Sequence, residues 1–267
     1  MKIIPTNSLV GAFVEDIDLS CPIGSDETDE LLSAWHKHGA LFFKNQNLDN
    51  EQQIAAASIF GEPVPFDFAP ATAESEIVHK IANEKGRGIK SGTSTWHTDA
   101  TWLEMPPRGT MLQAVELPSS GGDTLFASMS AAFSSLSSET QSFIDGLTAV
   151  HHGGSKLKKS ADRISKIIPE EAVSHPVVRT HPVTREKCIF VNRLFTKKIN
   201  ELNDIENEAV LPMLCDLALR PELQFRFTWE EGDIAVWDNR SVQHYATPDY
   251  SEARIMHRVI LAGDPVE

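Results

Sequence analysis

Across 267 residues the chain sets 38 Asp and Glu against 24 Lys and Arg, a formal net charge of −14. Nucleic acid and anionic membrane surfaces are therefore poor partners, because both need a positive face. With 41% hydrophobic and 23% charged residues the chain can bury a core, and its length suits one large domain or two small ones. No apolar run nears the roughly 18 residues of a membrane span, and the N-terminus turns acidic too early for a signal peptide. Cys21, Cys188 and Cys215 are widely spaced with no CxxC, so neither a disulfide framework nor a thiolate zinc site is indicated, and a reducing cytoplasm is the expected setting.

The first predicted element is a helix from about Ser25 to Lys37, capped by Ser25 or Asp26, with Leu31, Leu32 and Trp35 as its apolar stripe and Gly39 as its stop. ALFFK (Ala40–Lys44) reads as a buried strand, and a second helix follows from about Asn50 to Phe60, ending at Gly61. From Glu76 onward strand signals dominate: EIVHKIA, GTMLQAVEL, DTLFAS, PVVRTHP, CIFVN, FRFTW, DIAVWD and RIMHRVILAG. Helical stretches interrupt them near Ser130–Leu147 and Asn203–Leu219. Strands without regular strand–helix alternation argue against a doubly wound parallel sheet and for an antiparallel sandwich or jelly roll with helices outside. No GxGxxG precedes a helix, and there is no Walker loop or GxSxG elbow, so dinucleotide, nucleotide-triphosphate and α/β-hydrolase chemistry fall away. His151–Ile168 is unusually basic for this chain; it reads either as a solvated surface segment or as a lid over a site that takes an anion.

His97-Thr98-Asp99 is the first candidate for chemistry. In a strand, residues i and i+2 point to one face, so an imidazole and a carboxylate can converge on one ion. Alone the triplet is weak, and a surface histidine beside a capping aspartate explains it as well. The C-terminal segment adds more. After the apolar strand Ile234–Trp237, a turn-rich stretch leads to His244, and Arg254 and Arg258 then share one face of an apolar strand. Arginines among Ile255, Val259 and Ile260 need anionic partners. Those partners are either Asp and Glu side chains or small-molecule anions, which guanidinium binds bidentately.

Taken together, these residues resemble the taurine dioxygenase family of Fe(II)- and 2-oxoglutarate-dependent oxygenases. The similarity rests on GAFVEDIDLS, FGEPVP, WHTDATWLEMPPRG, ELPSSGGDTLFAS, HPVVRTHPVT, IAVWDNRSVQHYA and RIMHR, in that order. It implies one domain over residues 1–267, mainly β with flanking helices, folded as a double-stranded β-helix (jelly roll, cupin-like). It assigns His97, Asp99 and His244 to Fe(2+), a two-imidazole, one-carboxylate set that leaves positions for 2-oxoglutarate and O2 as cosubstrates. Zinc suits the ligand types too, but gives no reason for the arginines.

The resemblance also gives the distal carboxylate of 2-oxoglutarate to Arg254 and Thr124, although Thr124 alone is an ordinary strand threonine. It gives the anionic head of a small organic substrate to Arg258. Where members specialised for taurine hold its ammonium, this chain has roughly Phe66, Ala69 and Thr93, and Ala100 adds further apolar surface. The expected substrate is thus an alkyl or aryl sulfonate, a sulfate ester or an aryloxyalkanoate, hydroxylated next to its heteroatom while 2-oxoglutarate becomes succinate and CO2. Alternatives are taurine itself, a biosynthetic hydroxylation or desaturation of an amino-acid-derived acid, and a non-catalytic metal-binding sensor. Asn239 and Arg240 are expected to shape the turn before His244, and Trp237 either flanks the cofactor or is plain core. The sequence leaves a homo-oligomer open.

Overall fold

The computed structural model describes residues 1–66, 71–72, 74–83, 94–153 and 172–267. Strands β1 (Lys2–Pro5), β2 (Ala12–Glu15) and β3 (Ala40–Phe43) come first, with helix α1 (Ser25–His38) before β3. Helix α2 (Asn50–Ser58) leads to β4 (Pro63–Val64), β5 (Ala71–Thr72), β6 (Ser75–Asn83), β7 (Pro107–Glu116) and β8 (Thr124–Ser128). Helices α3 (Met129–Ser134) and α4 (Ser138–Ile144) follow, then β9 (Thr148–His151), β10 (Val173–Pro176), β11 (Val178–Thr180), β12 (Lys187–Ile189) and β13 (Thr196–Ile199). Helix α5 (Asp204–Cys215) precedes β14 (Gln224–Phe227), β15 (Ile234–Asp238), β16 (Val242–Ala246) and β17 (Arg254–Gly263).

Two sheets build the barrel. The larger runs β1-β2-β3-β15-β7-β17-β6-β5, with β4 also on β17, and the smaller runs β14-β8-β16. Strand alternation sorts the side chains. In β3 and β15, Leu41, Phe43, Ile234 and Val236 face outward and pack with Leu31 and Trp35 of α1 and Phe60 beyond α2. Their alternate neighbours Phe42, Ala235 and Trp237 face inward and meet Phe126 and Val242 of the smaller sheet. Both faces of the central strands are therefore buried, which is why ALFF and IAVW are unbroken apolar runs. In β17 the same parity turns Met256 inward and Val259 and Leu261 outward. Arg254 and Arg258 share the parity of Met256, so the fold itself sends two arginines inside the barrel. This is the jelly roll expected from the strand pattern.

Several expected boundaries differ. Helix α1 begins at Ser25, but Gly24 holds its N-cap position and no side chain caps it. Gly39 does end it, at φ 72°, where a Cβ would stand 2.6 Å from Val242 Cγ2. Helix α2 stops at Ser58, short of Gly61, and starts with a capping box between Asp49 and Gln52. The stretch near Ser130–Leu147 is two helices, because the Ser137 side chain accepts from the Thr140 N–H and starts α4 afresh. Near Asn203–Leu219, α5 gives way to a 3₁₀ turn at Asp216.

A buried ionic cluster closes the end of β15. Asp238 accepts hydrogen bonds from Arg240 (Nη2, 2.7 Å; Nε, 2.8 Å) and from His181 Nε2 (3.0 Å), and Arg240 Nη1 also reaches Asp264 at 3.3 Å. The segments HPVVRTHPVT and WDNR thus meet in space, and Arg240 shapes the turn before His244 as expected. Burial by itself raises the Asp238 carboxyl; hydrogen bonds and charge from Arg240 and His181 overrule it and hold the group well below the carboxylate range. A carboxyl depressed in the folded state contributes stability above its unfolded pKa and loses it as pH falls toward the folded value. Asp238→Asn is expected to destabilise the fold by about 3–5 kcal/mol at neutral pH, since Arg240 loses its main counter-charge. The gap to the parent protein should narrow below about pH 4; denaturant midpoints across pH measure it.

Candidate iron and cosubstrate site

His97 and His244 sit directly opposite one another in an antiparallel bridge, with His97 N–H to His244 O at 3.1 Å and His244 N–H to His97 O at 2.9 Å. Opposed residues send their side chains to one face, and the two rings lie 4.2 Å apart, centre to centre. Asp99 follows two residues after His97, where the chain turns through Ala100 at φ 48°. Asp99 Oδ1 lies 3.7 Å from both His97 Nε2 and His244 Nε2, and one donor atom from each of the three residues falls within 4.8 Å of the others. All three side chains are buried.

His97 Nδ1 lies 2.7 Å from the Thr95 carbonyl, which as an acceptor keeps the proton on Nδ1 and the lone pair on Nε2. Burial lowers the pKa of His97 against the pull of Asp99. Burial, then the neighbouring His97, push His244 down to about 3, again opposed by Asp99. Burial thus favours the neutral imidazole at both positions, the form a metal requires. Burial raises the Asp99 carboxyl, but His244, His97, Arg258 and the Thr110 hydroxyl outweigh it and leave the group below its ordinary value. Two neutral imidazoles and an ionised carboxylate converging on one open side fit a divalent iron.

A hydrogen-bond relay holds the carboxylate. Trp237 Nε1 donates to Asn239 Oδ1 (3.0 Å), Asn239 Nδ2 donates to Thr110 Oγ1 (3.2 Å), and Thr110 Oγ1 donates to Asp99 Oδ2 (2.8 Å). The register makes it, since Thr110 lies opposite Trp237 across β7 and β15. Asn239 thus does more than shape a turn. Thr110→Val is expected to weaken metal binding about 10–100-fold while Thr110→Ser retains it. Titration with Co(II), followed by its visible spectrum, reads this without turnover.

The same cavity is lined by Thr124, Arg254 and Arg258, with Ile81, Leu112, Trp237 and Ala246 as its apolar walls. Arg254 Nε donates to the Gly122 carbonyl at 3.0 Å, while its buried Nη2 meets no partner among the described residues. The Arg258 guanidinium lies 5.1 Å from the Phe66 ring, and its buried Nε is likewise unpaired. Among the described residues no carboxylate forms an ion pair with either arginine. Burial lowers both arginines' pKa values, opposed at Arg254 by Tyr250 and Asp123 and at Arg258 by Asp99.

Ala100 is placed differently from expectation. It is buried among Trp102, Leu194 and Phe195, with Phe66 packed against that cluster, and it does not line the cavity. Thr93 and Ala69 lie outside the described residues, as does most of the basic segment. Of that segment residues 151–153 are described, and His151 is not surface but fully buried.

A jelly roll whose cavity gathers two histidines and an aspartate beside two arginines that no carboxylate pairs among the described residues defines a class, the mononuclear non-haem iron oxygenases. Residues 4–260 match the family model described as taurine catabolism dioxygenase TauD, TfdA family, and the chain belongs to that family. It is 32% identical over 267 residues to an alkylsulfatase of Acinetobacter baylyi, covering 96% of this chain and 83% of that one. Identity is also 32%, over 276 residues, to an alpha-ketoglutarate-dependent sulfate ester dioxygenase of Pseudomonas putida, covering 99% and 90%. The crystal structure of a taurine dioxygenase from Burkholderia xenovorans aligns with a TM-score of 0.86 at 32% identity, covering 99% and 92%. The chain is an Fe(II)- and 2-oxoglutarate-dependent dioxygenase (alpha-ketoglutarate is 2-oxoglutarate). No helix among the described residues is long and apolar enough to cross a membrane.

Proposed function

We propose that His97, Asp99 and His244 hold the iron, that Arg254 and Thr124 take the distal carboxylate of 2-oxoglutarate, and that Arg258 takes the anionic head of an organic substrate with an apolar tail. The observation that carries this reading is the pair of buried, unpaired guanidinium nitrogens, Arg254 Nη2 and Arg258 Nε, in the cavity that holds the three metal donors. A buried cation without a protein counter-ion calls for an anion from outside. Two such cations suit two anions, one per reactant.

Bound iron would allow O2 to act as the oxidant, one of its oxygen atoms entering succinate as 2-oxoglutarate loses CO2 and the other entering the hydroxylated substrate. The protein's part is orientation and exclusion of water. Arg258 sets the anion so that the carbon beside its heteroatom faces the metal, and Ile81, Leu112 and Trp237 keep that space dry. An alcohol formed beside sulfur or an ether or ester oxygen collapses to a carbonyl compound plus sulfite, sulfate or a phenol. The reaction asks no side chain to act as a base. The three cysteines are free, which suits a reducing cytoplasm.

The tail decides the substrate. Among the described residues that line the cavity, Asp99 is the one carboxylate, and it faces the two histidines. An ammonium group such as that of taurine would be buried unpaired, whereas an apolar tail gains about 0.8 kcal/mol per buried CH2, so two extra methylenes already give more than about tenfold. Hexyl sulfate, hexanesulfonate or an aryloxyalkanoate is expected to exceed taurine in kcat/KM, measured as substrate-dependent succinate release under identical iron and oxygen. A preference for taurine contradicts this reading of the cavity.

A further inference from the structure

We infer that Trp229 is a positioning residue for 2-oxoglutarate: its indole N–H anchors the Thr124 hydroxyl and thereby commits that hydroxyl's proton to the distal carboxylate. The inference rests on the assignment of Thr124 and Arg254 proposed above.

Trp229 lies two residues beyond β14, on the smaller sheet, and is 7% exposed. Its ring meets Phe227 edge-on, 4.7 Å between centres, and Phe227 in turn stacks on Phe42 at 4.4 Å. That packing leaves the ring little freedom. Its Nε1 stands 3.0 Å from Thr124 Oγ1, a bond between two buried side chains. Phe227 lies opposite Thr124 in the β14–β8 register, which brings the residue two further along to the threonine's side chain.

The direction of this bond is not open to choice. An indole N–H donates and cannot accept, so Thr124 Oγ1 must be the acceptor. A hydroxyl carries one proton and two lone pairs. With a lone pair engaged, its proton points elsewhere, and among the described residues it meets no acceptor. Thr124 lines the cavity that Arg254 also lines, where Nη2 of that arginine is the other unpaired donor. Accepting from the indole also polarises the hydroxyl and makes it a better donor. An ordinary buried tryptophan satisfies its N–H wherever an acceptor is near; this one spends it on a threonine whose own proton faces a cavity. A hydroxyl free to rotate would lose part of that orientation on binding an anion.

The test compares two 2-oxo acids of equal chain length, 2-oxoglutarate and 2-oxopentanoate, which lacks the distal carboxylate. Dissociation constants are read without turnover, from the charge-transfer band that forms with Fe(II) under anaerobic conditions. Trp229→Phe keeps an aromatic ring and removes the donor. It is expected to weaken 2-oxoglutarate about 5- to 20-fold, a part of the roughly 10- to 150-fold that a whole hydrogen bond to a charged group contributes, and to leave 2-oxopentanoate unchanged. In the Thr124→Val background the same replacement should cost nothing more. Equal weakening of both acids, no change in either, or independent effects of the two substitutions would overturn the inference and leave Trp229 as core. If Thr124→Val and Arg254→Leu both keep the parent protein's preference for 2-oxoglutarate, the assignment beneath it has failed instead, and the inference falls with it.

Discussion

Alanine at His97, Asp99 or His244 is expected to abolish turnover and to lower iron affinity by more than about 100-fold, beyond the 10–100-fold typical of losing a supporting hydrogen bond. Each substitution removes one of three protein donors that lie within 4.8 Å of one another, and no fourth His, Cys, Asp or Glu joins that group among the described residues. The loss should be specific. His97 and His244 are joined through their backbones, and that bridge survives truncation of either side chain. Iron content after desalting, read beside the far-ultraviolet spectrum, separates a lost ligand from a lost fold. Activity retained by any of the three variants would remove that residue from the metal.

The second large effect belongs to Arg254→Leu. The 2-oxoglutarate carboxylate would enter the same buried space without its counter-charge, at about 3–5 kcal/mol, or roughly two to four orders of magnitude in affinity. Leucine resembles the arginine stem in size and leaves the Gly122 carbonyl without its donor, so some loss of stability is expected as well. KM for 2-oxoglutarate should rise far more than KM for the organic substrate. Were the organic substrate's KM alone to move, the roles of Arg254 and Arg258 would be exchanged.

Much of this was legible before any coordinates, and the pattern of misses has physical causes. ALFF and IAVW announce central strands because both faces are buried, so no polar residue interrupts them. The sequence shows a turn-rich stretch leading to His244, and the strand β16 that carries this histidine is not announced. Val242-Gln243-His244-Tyr245-Ala246 is short, and only Val242 of its inward face joins the core, while His244 and Ala246 are given to the cavity of the metal donors. Partnership between His97 and His244 is set by a bridge between distant segments, which no local pattern encodes. The same holds for Thr110 and Trp229, plain strand-type residues made functional by register, Thr110 opposite Trp237 and Trp229 beyond the Phe227–Thr124 pair. Ala100 is the reverse case. Its place beside Asp99 suggests a role in the cavity, but it packs in a neighbouring cluster with Trp102, Leu194 and Phe195, a tertiary contact that no local pattern encodes. The arginines stand out in the sequence because a charged pair on one face of an apolar strand is a conflict that needs an anion to resolve it, and the structure turns both into the cavity of the metal donors.

The most direct test of the account is an anaerobic titration of the metal-free protein, first with Fe(II) and then with 2-oxoglutarate. One iron per chain is predicted to bind, followed by a weak lilac charge-transfer band that saturates at one 2-oxoglutarate per iron and disappears in Asp99→Ala. A protein that takes up no iron, or binds iron and gives no such band with 2-oxoglutarate, would contradict it.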